Sequence, residues 1–417
     1  MFNTSTFKKL LLVIALPFAA NAQVADMVTI NPGYTNQTFY SMQNGTVSSV
    51  VNTDWDLAFQ VSGFEATIAI NSKNNVKLYD AYKSTADWST MVPADTIGMT
   101  ASEFFNNDAH IFAGAFNSTI DTSNAFDLGW GIYDFATHIV YGDSCYFIRL
   151  ANGDVKKLFI ESLANAVYTF HVADLDGNNE IIRQCTKATY AGKNFGYYSI
   201  QNDMFSDREP NKYTWDLCFQ QYWSINPISY KVTGVLSNDS VQLVKAYPVN
   251  DVALATDAGL TYSSDNNVIG YDWKTYDFNT NSYLIADSTV YFTVDRNAGV
   301  WKIVFTGFDG SSTGNFYFTK QYLGTVGISE TAAAVQSFGV YPNPAAAYCT
   351  LVVTTGASQN AQVVITDLAG KTVYSASQEL NSGINKIGIN TSAFANGMYV
   401  ASVITDNSKL KVKFVKQ

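Results

Sequence analysis

The chain has 417 residues and a formal net charge of −10, and 47% of its residues are hydrophobic. This composition supplies enough apolar material for two or three packed domains and excludes global disorder. The negative charge makes nucleic acid a poor partner, because the phosphate backbone repels it. Aromatic residues account for 14% of the chain, and many Asn, Ser, Thr and Gly residues separate the apolar runs. These features favour an all-β fold.

The N-terminus has the features of a secretory signal peptide. A basic region around Lys8 precedes an apolar stretch at residues 10–20, which is too short to form a stable transmembrane helix. Residues 20–22 read Ala-Asn-Ala, a small-residue cleavage site. We therefore expect a signal peptide at residues 1–22 and a mature chain that starts at Gln23. No comparable apolar run follows, so we expect no transmembrane segment in the mature chain.

Seven short motifs occur twice in the same order, which indicates a tandem duplication. The duplication predicts two repeats, at residues 23–185 and 186–326. The paired segments are 40–44 and 198–202, 55–60 and 215–220, 76–82 and 241–247, 129–135 and 270–278, 143–147 and 287–292, 157–159 and 302–304, and 168–170 and 316–318.

The Trp-Asp-Leu-x-Phe motif indicates a β-strand in each repeat. In the first copy the apolar bulk falls on alternate residues, which predicts one face with Trp55, Leu57 and Phe59. Ala58 then points to the other face, and this explains why Cys218 can replace it in the second copy. The repeated Trp-Asp pairs allow two interpretations. They form a binding site, or each Trp is a core residue and each Asp accepts hydrogen bonds from a neighbouring loop; we expect the second.

The repeated motifs resemble the HmuY family of extracellular, all-β, haem-binding proteins of Bacteroidetes. The resemblance rests on Trp-Asp-Leu-x-Phe, Gly-Trp before Tyr-Asp, Asp-Ser-x-Tyr-Phe, and a late Tyr-Thr-Phe followed by Asp-Leu-Asp-Gly. It covers roughly residues 25–327 and implies two tandem HmuY-like domains, built of β-hairpins arranged like the fingers and thumb of a hand. The motifs are mainly structural, so they support the fold better than the activity.

The resemblance also implies a cofactor. Haem in that family is held by two axial His or Met side chains from separate loops, which leaves no open position for oxygen chemistry. On this sequence the resemblance implies His110 and His138 as the ligands of the haem iron, with Met99 as a reserve ligand. Nearby aromatic residues are expected to stack on the porphyrin, namely Phe104, Phe105, Phe112 and Phe116.

The second repeat provides an internal control for the haem prediction. It contains no histidine, and Asn281 falls near the position equivalent to His138. We therefore do not expect the second repeat to bind haem through histidine. For the first repeat a plainer interpretation stands beside haem binding, because loop histidines are often only solvated and aromatic residues of β-proteins often belong to the core.

The C-terminal segment carries four spaced motifs. Tyr-Pro-Asn-Pro at 341–344 is followed by Asp-Leu-Ala-Gly-Lys-Thr-Val at 367–373, Asn-Gly-Met-Tyr at 396–399 and a basic tail at 411–417. Short alternating strands separated by Gly and Asn turns predict a small immunoglobulin-like β-sandwich at 337–417, after a linker at 327–336. The order of the four motifs resembles the type A sorting domain of the type IX secretion system.

The sorting-domain resemblance implies two partners, an outer-membrane translocon and a cell-surface sortase that removes the domain. We expect a protein that passes through the periplasm and is then secreted or held at the outer cell surface. The sequence has no nucleophile elbow, His-Glu-x-x-His, phosphate loop or Cys-x-x-Cys-His motif, so we do not expect an enzyme. We expect a non-catalytic binding protein with haem in repeat 1. The alternatives are a structural or adhesive surface protein that binds glycan or protein without haem, and a hydrolase whose catalytic residues the sequence does not mark.

Overall fold

A computed structural model describes residues 23–63, 65–225, 229–325, 335–355, 358–368, 370–405 and 409–417. The predicted signal peptide and residues 327–334 of the predicted linker lie outside these ranges. The chain divides into two compact units, Met1–Thr325 and Val326–Gln417. Antiparallel strands dominate the described residues of both units, which confirms the all-β class. None of the helical segments described has the length and apolar character of a membrane span.

The first unit consists of short antiparallel strands joined by turns and 3₁₀ helices. Its described strands are, in chain order, β1 (Val24–Thr29), β2 (Asn36–Ser41), β3 (Gly45–Val51), β4 (Leu57–Gln60), β5 (Ile68–Ile70), β6 (Lys77–Ser84), β7 (Glu103–Phe104), β8 (Gly131–Asp134), β9 (Ile139–Gly142), β10 (Ser144–Arg149), β11 (Val155–Ala164), β12 (Val167–Asp174), β13 (Ile181–Thr186), β14 (Phe195–Ser199), β15 (Met204–Ser206), β16 (Leu217–Ser224), β17 (Tyr230–Ser237), β18 (Gln242–Ala246), β19 (Lys274–Asp277), β20 (Ser282–Ile285), β21 (Val290–Val294), β22 (Gly299–Phe308) and β23 (Asn315–Thr325). Its described 3₁₀ helices are Pro32–Tyr34, Ser72–Asn74, Thr85–Thr90, Pro93–Thr96, Met99–Ser102, Ala115–Asn117, Lys187–Tyr190 and Gly310–Ser312.

Two large sheets and two small sheets organise this unit. One large sheet has the order β13-β12-β11-β10-β6-β7, with the hairpin β8-β9 joined to β11 through β9. The other has the order β1-β23-β22-β21-β18. The small sheets have the orders β15-β14-β4-β5 and β17-β16-β2-β3, and β19 and β20 form a separate hairpin. Each small sheet packs on one large sheet around its own hydrophobic core.

The two repeats exchange their first strands. Strand β4 of the first repeat pairs with β14 of the second, whereas β16 of the second repeat pairs with β2 of the first. The first core accordingly contains Tyr198 and Ile200, and the second core contains Val28 and Tyr40. The predicted boundary at 185/186 therefore marks the sequence repeats, but it does not separate two independent cores.

The aspartates of the Trp-Asp motifs fasten the exchanged segments. A carboxylate oxygen of Asp56 accepts a hydrogen bond from the backbone N–H of Gln201 at 3.2 Å. In the second copy, Asp216 accepts one from the backbone N–H of Met42 at 2.7 Å. Both aspartates are buried, so these bonds supply partners that the carboxylates need once they leave water. The predicted role of the aspartates is confirmed, and in both cases the donor belongs to the other repeat.

The second unit is a sandwich of two sheets. Its described strands are β24 (Val335–Tyr341), β25 (Tyr348–Thr355), β26 (Gln359–Asp367), β27 (Thr372–Leu380), β28 (Gly383–Asn390), β29 (Gly397–Ile404) and β30 (Lys409–Lys416). The sheets have the orders β24-β25-β28 and β27-β26-β29-β30. Buried residues alternate along the strands, as Leu351 and Val353 do in β25, and both sheets contribute to one core. The predicted small β-sandwich is confirmed.

Candidate ligand-binding site

His110 lies in an exposed loop of the first repeat that rests on the second repeat. Its side chain is 58% exposed, and its Nε2 is 3.9 Å from a carboxylate oxygen of Asp265. The neighbouring backbone is fixed by Asn266, whose N–H donates to the carbonyl of Ala109 and whose side-chain oxygen accepts from the N–H of Ile111. His110 therefore lies at a contact between the two repeats, and the charged residue near its side chain is Asp265.

His138 occupies a turn position in the β8-β9 hairpin. Its φ is 59°, in the left-handed region, and its Nδ1 is 2.8 Å from the hydroxyl of Tyr133. The equivalent hairpin of the second repeat has Asn281 with a φ of 50° and a contact with the hydroxyl of Tyr276. Asn and His are among the non-glycine residues that most often adopt this conformation. The turn and the tyrosine contact therefore account for His138 without any ligand.

The remaining residues of the haem prediction have partners within the protein. Met99 is half-buried against a small cluster that includes Tyr79 and Phe147. The four phenylalanines also pack internally: Phe104 and Phe116 against Tyr146, Phe105 on Trp223, and Phe112 beside Phe195. Their rings are thus used in the packing of the fold.

The three predicted haem ligands have separate neighbours in the structure. Two axial ligands must face each other across one cavity, whereas His110 lies near Asp265, His138 near Tyr133, and Met99 against the cluster with Tyr79 and Phe147. Haem binding through these residues stays a prediction.

A cleft in the first unit is lined by residues of both small sheets. Its volume is about 150 Å³, similar to that of a cavity that holds a benzene-sized molecule. The aromatic side chains on its walls are Phe39, Trp55, Phe195, Tyr197, Trp215, Tyr222 and Trp223. The carboxamides are Gln37, Asn52, Asn71, Asn106, Asn107, Asn194, Gln220 and Gln221. The charged side chains among the described wall residues are Lys73, Asp108 and Glu209.

The strand faces explain how these side chains reach the cleft. Leu57 and Phe59 of β4 are fully buried in the first core, and Ala58 points to the opposite side, as the alternation predicts. Trp55 does not share their face: it packs beside Ala58 and lines the cleft. Strand β4 begins only at Leu57, so the two-residue period does not extend back to Trp55. Trp215 has the corresponding place in the second repeat, which corrects the expectation that both tryptophans belong to the main cores.

Four buried polar groups on the cleft walls have no hydrogen-bond partner among the described residues. They are the side-chain oxygen Oδ1 of Asn194, Oε1 of Glu209, the indole Nε1–H of Trp215 and the hydroxyl of Tyr222. Their residues are 1%, 2%, 5% and 7% exposed, respectively. A buried polar group without a partner costs about 1–3 kcal/mol. Such groups in a native fold call for an explanation, which an ordered water or a bound molecule in the cleft can supply.

The segment between β15 and β16 carries the central charges of the site. The Glu209 carboxylate accepts hydrogen bonds through Oε2 from the backbone N–H groups of Asn194 at 3.2 Å and Phe195 at 3.0 Å. Burial nevertheless raises the pKa of Glu209 to about 7. The side chain of the neighbouring Arg208 is 1% exposed. It donates to the side-chain oxygens of Asp54 and Gln37 at 3.1 and 2.7 Å.

Sequence reasoning missed most of this cleft. Trp215 belongs to a repeated motif, and the repetition marks it as a notable residue. The motif alone, however, does not distinguish a side chain in the core from one that lines the cleft. Glu209 had a weaker signal, because the first repeat has Ser48 and Ser49 where Arg208 and Glu209 precede the second tryptophan. A charged pair that appears in only one of two repeats is a departure from the common fold, and such departures mark candidate functional positions.

Comparison with known proteins identifies the second unit. The family model described as secretion system C-terminal sorting domain matches residues 339–417. No curated protein matches the chain. Among solved structures, dimeric latent PorU from Porphyromonas gingivalis is similar over 67% of this chain and 31% of that chain, with 11% identity and a TM-score of 0.20, which is too low to inform on fold or function. The sorting domain confirms that the protein is exported by the type IX secretion system and is attached at the cell surface or secreted.

Proposed function

We propose that this protein is an exported, non-catalytic binding protein that holds a small polar ligand in the cleft between its two repeats. The observation that carries the proposal is the set of four buried, unpartnered polar groups on the cleft walls. Aromatic side chains alternate with carboxamides around them, a mixture that suits binding by contact and hydrogen bonding. Recognition by the type IX translocon and removal of residues 337–417 by a sortase complete the proposed route to the surface.

A small polar ligand is better supported than haem. The predicted haem site needs two facing axial ligands, whereas His110 lies near Asp265, His138 lies near Tyr133, and both lie outside the cleft. The cleft instead offers hydrogen-bond donors and acceptors with few charges. The family resemblance of the repeats thus bears on the arrangement of hairpins, and the choice of ligand depends on these walls.

The proposal is tested by ligand-induced stabilisation of the full mature chain. Its melting temperature is measured alone and with neutral saccharides, amino acids, nucleosides and haemin, because a ligand that binds only the folded state raises it. Ala69→Phe adds a ring at a half-exposed wall position opposite Ala58, and Ala94→Phe adds the same ring at an exposed site away from the cleft. We expect stabilisation by one of the polar classes, lost in Ala69→Phe and kept in Ala94→Phe.

Three results contradict the proposal. If no class stabilises the protein, or if stabilisation survives Ala69→Phe, the cleft is not the binding site. If haemin binds with a sharpened Soret band that disappears in both His110→Ala and His138→Ala, the haem prediction replaces it.

A further inference from the structure

Four residues of the cleft walls each have one polar atom that is buried from solvent and has no partner among the described residues. Trp215 Nε1–H is a donor, and the hydroxyl of Tyr222 can both donate and accept. Asn194 Oδ1 and Glu209 Oε1 are acceptors. A ligand that satisfies all four must itself offer donors and acceptors close together. Hydroxyl groups on adjacent carbon atoms do this, because each hydroxyl both donates and accepts.

The charges of the cleft favour a neutral molecule. Asp108 is already engaged, since its Oδ2 accepts hydrogen bonds from Ser224 and Asn267 at 3.2 and 3.1 Å. Glu209 uses Oε2 for two backbone N–H groups and has only Oε1 available. Lys73 is the basic side chain among the described wall residues. One lysine and two carboxylates provide neither the arginine fork that recognises an anion nor a compact acidic pocket for a cation.

The aromatic walls favour a ligand with a flat apolar side. The cleft has seven rings, and three of them are tryptophans. Trp55 is held edge-to-face against Tyr197, with ring centroids 5.1 Å apart, and the guanidinium of Arg208 lies 5.6 Å from the Trp55 ring. Such rings present rigid surfaces that need little ordering when a ligand binds. A sugar ring combines an apolar C–H face with hydroxyls at its edge.

We infer that the ligand of the cleft is a neutral carbohydrate, which the side chains of Asn194, Glu209, Trp215 and Tyr222 bind through its hydroxyls. This inference rests on the proposed function, because it names the ligand of the same cleft. All four residues belong to the second repeat, and the first repeat completes the cleft with wall residues such as Trp55 and Ala69.

The test is calorimetric titration of the full mature chain with glucose, galactose, mannose, N-acetylglucosamine and cellobiose, and with glucuronate and glucosamine as charged counterparts. Tyr222→Phe and Trp215→Phe each remove one donor and keep a ring. We expect each to weaken binding of the best neutral sugar roughly five- to tenfold, as the loss of one hydrogen bond does.

Two matched controls remove similar groups elsewhere. Tyr146→Phe removes a buried hydroxyl from the first core, and Trp273→Phe removes a buried, unpartnered indole N–H from the second core; neither residue lines the cleft. We expect sugar affinity within about twofold of the wild-type value in both.

The outcomes separate the carbohydrate inference from the proposed function. If an amino acid or nucleoside binds, no sugar does, and Ala69→Phe abolishes that binding, the cleft is a ligand site and the carbohydrate inference is wrong. The inference is also wrong if a sugar binds equally well to Tyr222→Phe and Trp215→Phe, or if the charged counterparts bind more tightly. If none of the tested classes binds, both the inference and the proposed function fail.

Discussion

The two repeats agree on their core faces and differ on their cleft faces. Strand register makes the comparison direct, since Ala58 pairs with Tyr197 in one small sheet and Cys218 pairs with Phe39 in the other. Core positions hold the same residue in both copies: Tyr40 and Tyr198, Leu57 and Leu217, and Phe59 and Phe219. Four pairs of cleft positions hold different residues, namely Gln37 and Phe195, Phe39 and Tyr197, Ala58 and Cys218, and Ala69 and Leu236, whereas Trp55 and Trp215 are the same. The two copies thus share these core residues and one tryptophan each in the cleft, and they differ at other cleft positions.

The unlike wall residues of the two repeats indicate what kind of ligand the cleft suits. Two identical small sheets would give a cleft with two-fold symmetry, suited to a symmetric ligand or to two copies of one. The unlike wall residues instead give each side its own chemistry, and Glu209 has no counterpart in the first repeat. The cleft therefore suits one asymmetric ligand.

The largest predicted effect comes from the shared core positions. Phe59→Ala and Phe219→Ala each remove a fully buried ring, which costs about 3–5 kcal/mol in the free energy of unfolding. Because each core contains strands of both repeats, either substitution should destabilise the whole first unit in one cooperative transition. Urea unfolding followed by aromatic fluorescence measures this. Separate transitions for the two repeats would contradict the structural exchange.

The second prediction concerns Glu209, the buried acid found in one repeat only. The pKa of Glu209 is about 7 in the folded protein and about 4.5 in the unfolded chain. Between these values the folded state holds the extra proton, so the free energy of unfolding should fall as pH rises through this window and level off above it, by roughly 3 kcal/mol in total.

Glu209→Gln should remove this contribution. Urea unfolding from pH 4 to pH 8.5 should show the variant gaining stability relative to wild type as pH rises. Parallel pH profiles for the two proteins would show that Glu209 does not titrate in this range.

The third prediction compares two equivalent asparagines. Asn71 donates to the backbone oxygens of Asn52 and Trp55, and Asn238 donates to those of Lys212 and Trp215, at 2.8–2.9 Å. Alanine at either position leaves buried carbonyls without these donors, at a cost of about 1–3 kcal/mol. Urea unfolding should give similar losses for both.

Ligand binding should tell the same two asparagines apart. The side-chain oxygen of Asn238 also accepts a hydrogen bond from Asn194, at 2.9 Å, and Asn194 is one of the wall residues with an unpartnered atom. Asn238→Ala should therefore weaken binding through Asn194 although Asn238 does not itself line the cleft, whereas Asn71→Ala removes a wall side chain directly. An unchanged affinity in Asn238→Ala would mean that Asn194 does not need this support.

The sequence predicted the elements better than their partners. Alternation placed Leu57, Ala58 and Phe59 on their correct faces because the two-residue period is a local property of a strand. It could not predict the exchange, because the strands that carry Tyr40 and Tyr198 have almost the same motif, and either one satisfies the same partner. The local sequence pattern does not determine which strand pairs with which, because that choice depends on the paths of the connections between the strands.

The candidate site was harder to predict for a related reason. Histidines attract attention because they are rare here and chemically versatile, and the family resemblance gave them a role. Glu209 and Tyr222 are ordinary residue types at ordinary spacings, and what distinguishes them is burial without a partner, which only three-dimensional packing reveals. The sorting domain was predictable because its four motifs lie close together in one small sandwich.

The smallest predicted effect separates the structural role of His138 from its predicted haem role. If the position is a left-handed turn, His138→Asn should change the free energy of unfolding by less than about 0.5 kcal/mol, because Asn281 serves the same turn in the second repeat. His138→Val should cost about 1–2 kcal/mol, because a β-branched residue is strained at positive φ. Urea unfolding measures both changes.

Haemin titration of the same variants adds a second readout. If His138 is only a turn residue, the two variants and the wild-type protein should show this order of stabilities and the same absorption change with haemin. A haem ligand loses the axial bond in both variants, so a Soret shift abolished by His138→Asn would return the position to the iron-binding role, whatever its effect on stability.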